Sequence, residues 1–374
     1  MKRYFDVVPL STLCTIKSGK SDTKDAVVDG QYAFFDRSKT IKKSSRYLYD
    51  CEALIVPGEG AEFLPKHFVG KFDLHQRAYA LFDFSTSIHV RYLYFYLHHR
   101  DDYLPAVAVG ATVKSLRMRH FEQFPIAVTS FPEQQRIVGI LDEAFAGIAT
   151  AKANAKKNLQ NARDLFDSHL NAVFSRRGEG WRESTIGEVC TLKSGNSVSQ
   201  NLERQVGEIP YLKVSDMNID GNEDKITTSS RFLRRADVKD NAIIPPGATI
   251  FPKRGGAILT NKKRITALAV CADLNIMAVV PTALIDPAVL YLYFLKLDMR
   301  SLGSGSSIPQ VNNYDVAPLP ISFPESLLAQ QELALQLNSL RTQTQRLARV
   351  YEQKLAALDV LKRSLLHQAF TGQL

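Results

Sequence analysis

From Glu133 to Phe174, apolar or small residues recur at Ile137, Ile140, Ala144, Ile148, Ala151, Ala155, Leu159, Ala162, Phe166, Leu170 and Val173. Steps of three and four residues place them on one narrow stripe, so the spacing predicts a single long helix with a coiled-coil seam. Ser130-Phe131-Pro132-Glu133 ahead of it reads as a capping box with proline in the first turn. Arg176, Arg177 and Gly178 behind it read as a helix stop. At about 1.5 Å per residue, such a rod is roughly 60 Å long. A second stripe, Leu333, Leu337, Leu340, Thr344, Leu347, Tyr351, Leu355, Leu358, Leu361 and Leu365, predicts a matching helix from about Pro324 to Phe370. Two narrow seams of equal length are expected to cover each other as an intrachain antiparallel coiled coil, in preference to two separate cores or homodimer seams.

The remaining pattern is written twice. Leu10–Ser21 recurs as Ile186–Ser197, with Cys-Thr and Lys-Ser-Gly shared; Tyr92-Leu-Tyr-Phe95 recurs as Tyr291-Leu-Tyr-Phe294. Gly110-Ala-Thr-Val113 recurs as Gly305-Ser-Ser-Ile308, and Ser130-Phe-Pro-Glu133 as Ser322-Phe-Pro-Glu325. Gln134-Gln135 recurs as Gln330-Gln331 after four extra residues, Ser326 to Ala329, about one helical turn. Five matches in one order indicate a tandem duplication with pseudo-twofold symmetry. In the first copy, Gln31–Phe35, Ala53–Val56 and Ala78–Phe84 are strand-like and His89–His98 is helical. In the second, Ile209–Val214, Ala242–Pro245, Thr249–Phe251 and Ile276–Val280 are strand-like and Pro287–Leu297 is helical. The fold class is α+β: two similar mixed globular parts, residues 1–130 and 178–325, each followed by a long helix, 131–177 and 326–374.

Composition narrows the class. No run of eighteen apolar residues is present, so no membrane span is expected, and Met1–Leu10 is too polar for a secretory signal. A cytoplasmic location follows. Cys14, Cys51, Cys190 and Cys271 show no CxxC pairing and are expected as reduced, buried thiols. The net charge of +9 comes from 47 basic and 38 acidic residues intermixed throughout, without a polybasic tail. A surface for a polyanion must therefore be gathered by folding.

Catalytic patterns are missing. Gly19-Lys20-Ser21 resembles the end of a phosphate-binding loop, but Cys14 stands where that loop needs glycine, and the second copy has Asn196 for Lys20. There is no GxGxxG, no HExxH, no NPP-aromatic motif, and no His/Cys ligand spacing. The chain is expected to have no catalytic residues and no metal. What it carries is basic and amide side chains in loops. The first copy has Lys42, Lys43, Arg46, Lys114, Arg117, Arg119 and His120. The second has Arg231, Arg234, Arg235, Lys253, Arg254, Lys262, Lys263 and Arg264, with the amides Gln310, Asn312 and Asn313. Arg and Lys can hold phosphates or pair with guanine, and Asn and Gln can make two hydrogen bonds to adenine. The densest group is Lys253–Arg264, around Gly255-Gly256 and without an acidic residue.

In layout the chain resembles the specificity subunit of type I DNA restriction-modification systems. The likeness rests on the duplicated globular-plus-helix plan, Pro132-Glu-Gln-Gln135 at the first helix, the finish Ala369-Phe-Thr-Gly-Gln-Leu374, and the restart Gly180-Trp181 leading to Ile186-Gly-Glu-Val189. The second helix departs from it, opening with Pro324-Glu325-Ser326. The resemblance implies two target recognition domains, each reading half of a bipartite double-stranded DNA site, and a helix pair that sets the unread gap. A rod of roughly 60 Å bounds that gap below about 18 base pairs. It also implies two methyltransferase (modification) subunits and, through the complex, restriction subunits as partners. S-adenosylmethionine, ATP and Mg would belong to those partners, with no cofactor in this chain. The alternatives are a modification-only or other phage-defence methyltransferase assembly, or a scaffold that binds no DNA.

Overall fold

The structure, a computed structural model, describes residues 5–302 and 309–374. The Gly305–Ile308 repeat lies outside the described residues. The chain forms two compact units, one holding the chain up to Lys157 together with Glu352–Leu374, the other Asn158–Tyr351. Each unit contains a globular part and a stretch of both long helices.

The first unit contains β1 (Asp6–Pro9), β2 (Thr15–Ser18), β3 (Tyr32–Phe35), β4 (Lys42–Ser44), β5 (Tyr49–Pro57), β6 (Lys66–Leu74), β7 (Ala78–Phe82), α1 (Val90–His99), α2 (Tyr103–Val107), α3 (Met118–Glu122), β8 (Pro125–Val128) and the start of α4 (Phe131–Phe174). Six strands form one sheet in the order β2-β7-β5-β6-β3-β4, and β1 pairs with β8. Successive side chains of a strand face opposite ways. Leu54 and Val56 of β5 therefore join the helix-covered core, while Ala53 and Ile55 join Phe35, Phe72 and Phe82 on the other face.

The second unit repeats this plan with β9 (Trp181–Thr185), α5 (Ile186–Val189), β10 (Cys190–Ser194), β11 (Ile209–Leu212), β12 (Lys225–Ile226), β13 (Phe232–Leu233), β14 (Thr249–Pro252), β15 (Arg264–Thr266), β16 (Cys271–Ala272), β17 (Ile276–Pro281), α6 (Pro287–Lys296), α7 (Met299–Leu302), α8 (Asn313–Val316), β18 (Pro320–Pro324) and most of α9 (Leu327–Phe370). Its sheets run β10-β17-β14-β15-β12, β13-β11-β16 and β18-β9. The same alternation sends Met277 and Val279 to one core and Ile276 and Ala278 to another. The strand expected at Ala242–Pro245 is absent. Pro245 has no N–H to give a ladder, and the segment holds only an isolated bridge, Ile244 to Val270.

The seams predicted from the stripes do pair, and antiparallel. In the first unit Arg136 donates to the Leu374 carbonyl at 2.9 Å and Lys152 pairs with Asp359. Phe370 of α9 sits edge-on to Tyr92 and Tyr96 and shares a core with Ile137 and Leu141 of α4. In the second unit Leu170, Val173 and Phe174 of α4 pack with Ala334 and Leu337 of α9. Of the predicted seam residues, Ile137, Ile148, Leu170 and Leu337 are buried; Ile140, Ala144, Leu159, Phe166, Leu333, Leu340, Tyr351, Leu358 and Leu365 are half-buried. Leu347 and Leu361 are corrections: they are 42% and 45% exposed, and the half-buried Ala348 and Lys362 take their places. After Thr344 the seam steps by four, not three, as an undistorted helix with 3.6 residues per turn must do at intervals.

The second helix also starts later than its stripe suggested. Ser322-Phe-Pro belongs to β18, paired with β9, and Phe323 is fully buried there, whereas Phe131 and Pro132 are helical. The identical tetrapeptides are not equivalent in space. The true anchors are Phe124 and Leu319, whose carbonyls accept from Leu10 and Ile186 N–H. From them to Gln134 and Gln330 the copies differ by one residue, and Ser326 stands where Ser130 does, each accepting the glutamine N–H at 3.0 Å. At the far end of α4, Arg177 donates to the Phe174 carbonyl at 3.4 Å, and Gly178 follows at φ +109°.

The shared Lys-Ser-Gly has a structural reason. A Cβ on Gly19 would lie 2.0 Å from the Leu74 carbonyl oxygen, and one on Gly195 2.0 Å from that of Asp273. Each glycine permits a backbone crossing, not a phosphate cradle.

Candidate nucleic-acid interface

In both units one frame of two loops is closed by matching backbone hydrogen bonds. In the first, the Gly58 carbonyl accepts from Leu116 N–H at 2.8 Å, and Gly60 N–H donates to the Lys114 carbonyl at 3.0 Å. In the second, the Lys253 carbonyl accepts from Val311 N–H at 2.9 Å, and Gly255 N–H donates to the Pro309 carbonyl at 2.8 Å. A short helix follows in each case. Arg117 N–H is held by His120 Nδ1 ahead of α3, and Asn312 N–H by Asp315 Oδ2 ahead of α8.

The same frame presents different chemistry. In the first unit Glu59 is engaged by Arg77, while Lys114 and Arg117 are exposed. In the second, Arg254 stands at the position of Glu59 and is exposed, with no side-chain partner among the described residues. Beside it, Gln310 Nε2 donates to Asn312 Oδ1 at 2.6 Å, and Asn312 Nδ2 donates to the hydroxyl of Tyr314, itself 70% exposed. Asn313 is exposed next to them. Two linked amides beside an exposed guanidinium can exchange hydrogen bonds with base edges.

The densest basic group does not form one face. Lys253 is buried, with Nζ donating to Ser194 Oγ at 2.7 Å, and burial lowers its pKa. Lys263 is 3% exposed; its ammonium donates to the Asn261 side chain at 2.7 Å and to the Leu297 carbonyl at 2.5 Å, and burial pushes its pKa down to about 8. Arg264 spends its guanidinium on the carbonyls of Asn222, Lys263 and Met217. Lys253 and Lys263 are withdrawn from the surface, and the half-buried Arg264 is spent on backbone carbonyls. Lys262 is half-buried, against Asn218.

Elsewhere, Lys42 pairs with the buried Asp36 at 2.6 Å, and Lys43 is exposed. Arg119 is exposed and His120 is buried. Arg234 is exposed, and Arg235 pairs with Asp240. Arg46 and Arg231 share a signal that the sequence reading missed. Ser44-Ser-Arg-Tyr-Leu48 recurs as Ser229-Ser-Arg-Phe-Leu233. In both, the Arg N–H donates to the first serine's Oγ at 3.2 Å. Both guanidinium groups lie against a buried carboxylate, Asp73 at 3.6 Å and Asp216 at 3.7 Å. Cys14, Cys190 and Cys271 are buried, Cys51 is half-buried, and all four are free thiols. Burial pushes the Cys14 and Cys190 pKa values to about 12.

Among the described residues no helix is long and apolar enough to cross a membrane, and no three His, Cys, Asp or Glu side chains gather as a metal site. The model of the type I restriction modification DNA specificity domain matches residues 3–161 and again 178–353. The chain belongs to the type I restriction-modification DNA specificity family. Members of this family are non-catalytic DNA-recognition subunits, and the two matched stretches are its two copies. The specificity subunit of the type I restriction enzyme EcoDI of Escherichia coli is 23% identical over 401 residues, spanning 98% of this chain and 88% of that protein. Among solved structures, a chain from work on complex assembly and conformational transition of the type I R-M system aligns with a TM-score of 0.73 at 16% identity, covering 99% of this chain and 98% of its own. The HsdS subunit from Thermoanaerobacter tengcongensis aligns with a TM-score of 0.57 at 16% identity, covering 99% and 97%. At that identity the likeness speaks to the specificity-family fold alone.

Proposed function

We propose that each unit reads one half of a bipartite duplex target through its two-loop frame, and that the paired helices set the gap between the halves. One observation carries this reading: identical backbone frames present Glu59, Lys114 and Arg117 in one copy and Arg254, Gln310 and Asn312 in the other. A duplicated frame with divergent side chains suits two different base sequences on one DNA. Exposed Lys and Arg anchor phosphates, while Arg and the amides meet base edges. Lys42, Lys43, Arg46, Arg119, Arg231, Arg234, Arg235 and Lys262 remain flanking contacts.

The chain serves two methyltransferase subunits, with restriction subunits joining the complex. S-adenosylmethionine, ATP and Mg are held by those partners, which methylate an adenine in each half-site after flipping it out.

Salt dependence tests the frame. In complex with its methyltransferase subunits, the triple variant K114Q/R117Q/R254Q is expected to bind target duplex with a log–log salt slope shallower by about 3, near 0.9 per lost phosphate contact. K263Q is expected to lower the melting temperature and leave the slope alone. An unchanged slope in the triple variant removes the frame from the interface.

A further inference from the structure

Gln134 and Gln330 are each the fourth residue of a long helix, fully buried, with the same three hydrogen bonds. Gln134 Oε1 accepts from His89 N–H at 2.8 Å, and Nε2 donates to the Ser87 and Thr129 carbonyls at 2.9 and 2.8 Å. Gln330 Oε1 accepts from Asp286 N–H at 2.7 Å, and Nε2 donates to the Leu284 and Pro324 carbonyls at 3.1 and 2.9 Å. His89 and Asp286 are the residues that open α1 and α6. One amide thus fastens three segments: the first turn of the long helix, the chain leading into it, and the entry of the helix beneath the sheet. Only a carboxamide of this length offers one acceptor and two donors together; Glu lacks the donors, and Asn is a methylene shorter. The neighbouring Gln135 and Gln331 are exposed.

We propose that Gln134 and Gln330 are positioning residues for gap selection: each fixes the angle at which its recognition module leaves its long helix. The inference rests on the bipartite reading above. Side chains that meet bases differ between the units, but the glutamine clamp is the same in both, so it serves something both halves need whatever they read. Adding one base pair to the gap moves a half-site by about 3.4 Å and turns it by roughly 35° about the duplex. A module on a loose joint can follow that displacement; a module on a clamped joint cannot. Each unit has one further tie beside the glutamine: in the first, Arg91 of α1 forks onto Asp142 of α4, with Nε at 2.9 Å from Oδ2; in the second, Arg341 of α9 pairs with Asp224, which also accepts from the Tyr291 hydroxyl of α6 at 3.3 Å.

The test uses the assembled methyltransferase complex and duplexes that hold both half-sites at the native gap or one base pair shorter or longer. The wild type is expected to methylate the native gap at least tenfold faster than either neighbour. Q134M and Q330M, of similar volume but without the hydrogen bonds, are each expected to cut that preference several-fold while leaving the half-site bases unchanged. Should a Met variant fail to assemble, Q134N and Q330N keep all three polar functions on a shorter arm and are expected to shift the gap profile likewise. An unchanged gap profile with uniformly slower methylation overturns the proposal and leaves the glutamines structural. A wild-type complex indifferent to gap length overturns instead the bipartite reading beneath it.

Discussion

Replacing Phe370 by Ala is expected to cost the first unit about 3–5 kcal/mol, the usual penalty for emptying an aromatic from a packed core. Phe370 is 7% exposed and touches Tyr92, Tyr96 and His99, the last by stacking at 5.3 Å. It lies near the end of the chain, yet it closes a core begun by Leu10 and Leu13. Its neighbours Leu366 and Ala369 are buried in the same cluster. Hydrogen exchange followed residue by residue separates the outcomes. The amides of α1, β5 and β7 should lose protection in F370A, and those of β14, β17 and α6 should keep theirs. Equal loss in both units, or none in the first, would mean that the returning helix is not part of that core.

Lengthening the helix pair should move the target. Four residues inserted after Lys157 in α4, matched by four before Glu352 in α9, keep both seams in contact. They advance the helices by about 6 Å and turn them by roughly 40°. One base-pair step needs about 3.4 Å and roughly 35°, so the nearest fit is a gap longer by one or two base pairs. Methylation of the original target is expected to fall about tenfold or more, as one half-site drops out of register. Activity should reappear at the longer gap with the half-site bases unchanged. A change of bases at constant gap would separate spacing from the helices.

Much of this architecture could be read before any coordinates. A stripe recurring every three or four residues over forty positions admits few structures besides a long paired helix, and the duplication was legible because whole segments recur. What the stripes could not decide was the local phase: Leu347 and Ala348 both fit a three-or-four spacing, and only packing shows that the smaller residue faces in. Identity misled at Ser322-Phe-Pro-Glu325, because strand pairing with β9 outweighs a tetrapeptide's own preference. β6 escaped notice because Lys66–Leu74 carries charges and Gly70 at φ +117°, although its last three residues are buried.

The site was less legible than the fold. Nearness in sequence says which charges share a loop, not which way they point. Lys263 and Arg264 turn inward to satisfy carbonyls that the loops leave unpaired, whereas Arg254, in the same run, stays outside. The two-loop frame joins residues far apart in the chain, so only the fold reveals that Arg254 and Gln310 correspond to Glu59 and Ser115. The Ser-Ser-Arg-aromatic-Leu repeat is legible in the letters, but the buried carboxylate that each arginine faces is not.

The most direct measurement is a long-read map of methylated adenines in a genome carrying this chain and its methyltransferase, compared with the same genome lacking the chain. Two short blocks of defined bases, each with one modified adenine and separated by a single fixed gap, are expected, and both should vanish together without the chain. A single uninterrupted block, a gap that varies from site to site, or adenine marks that persist without the chain would contradict the account.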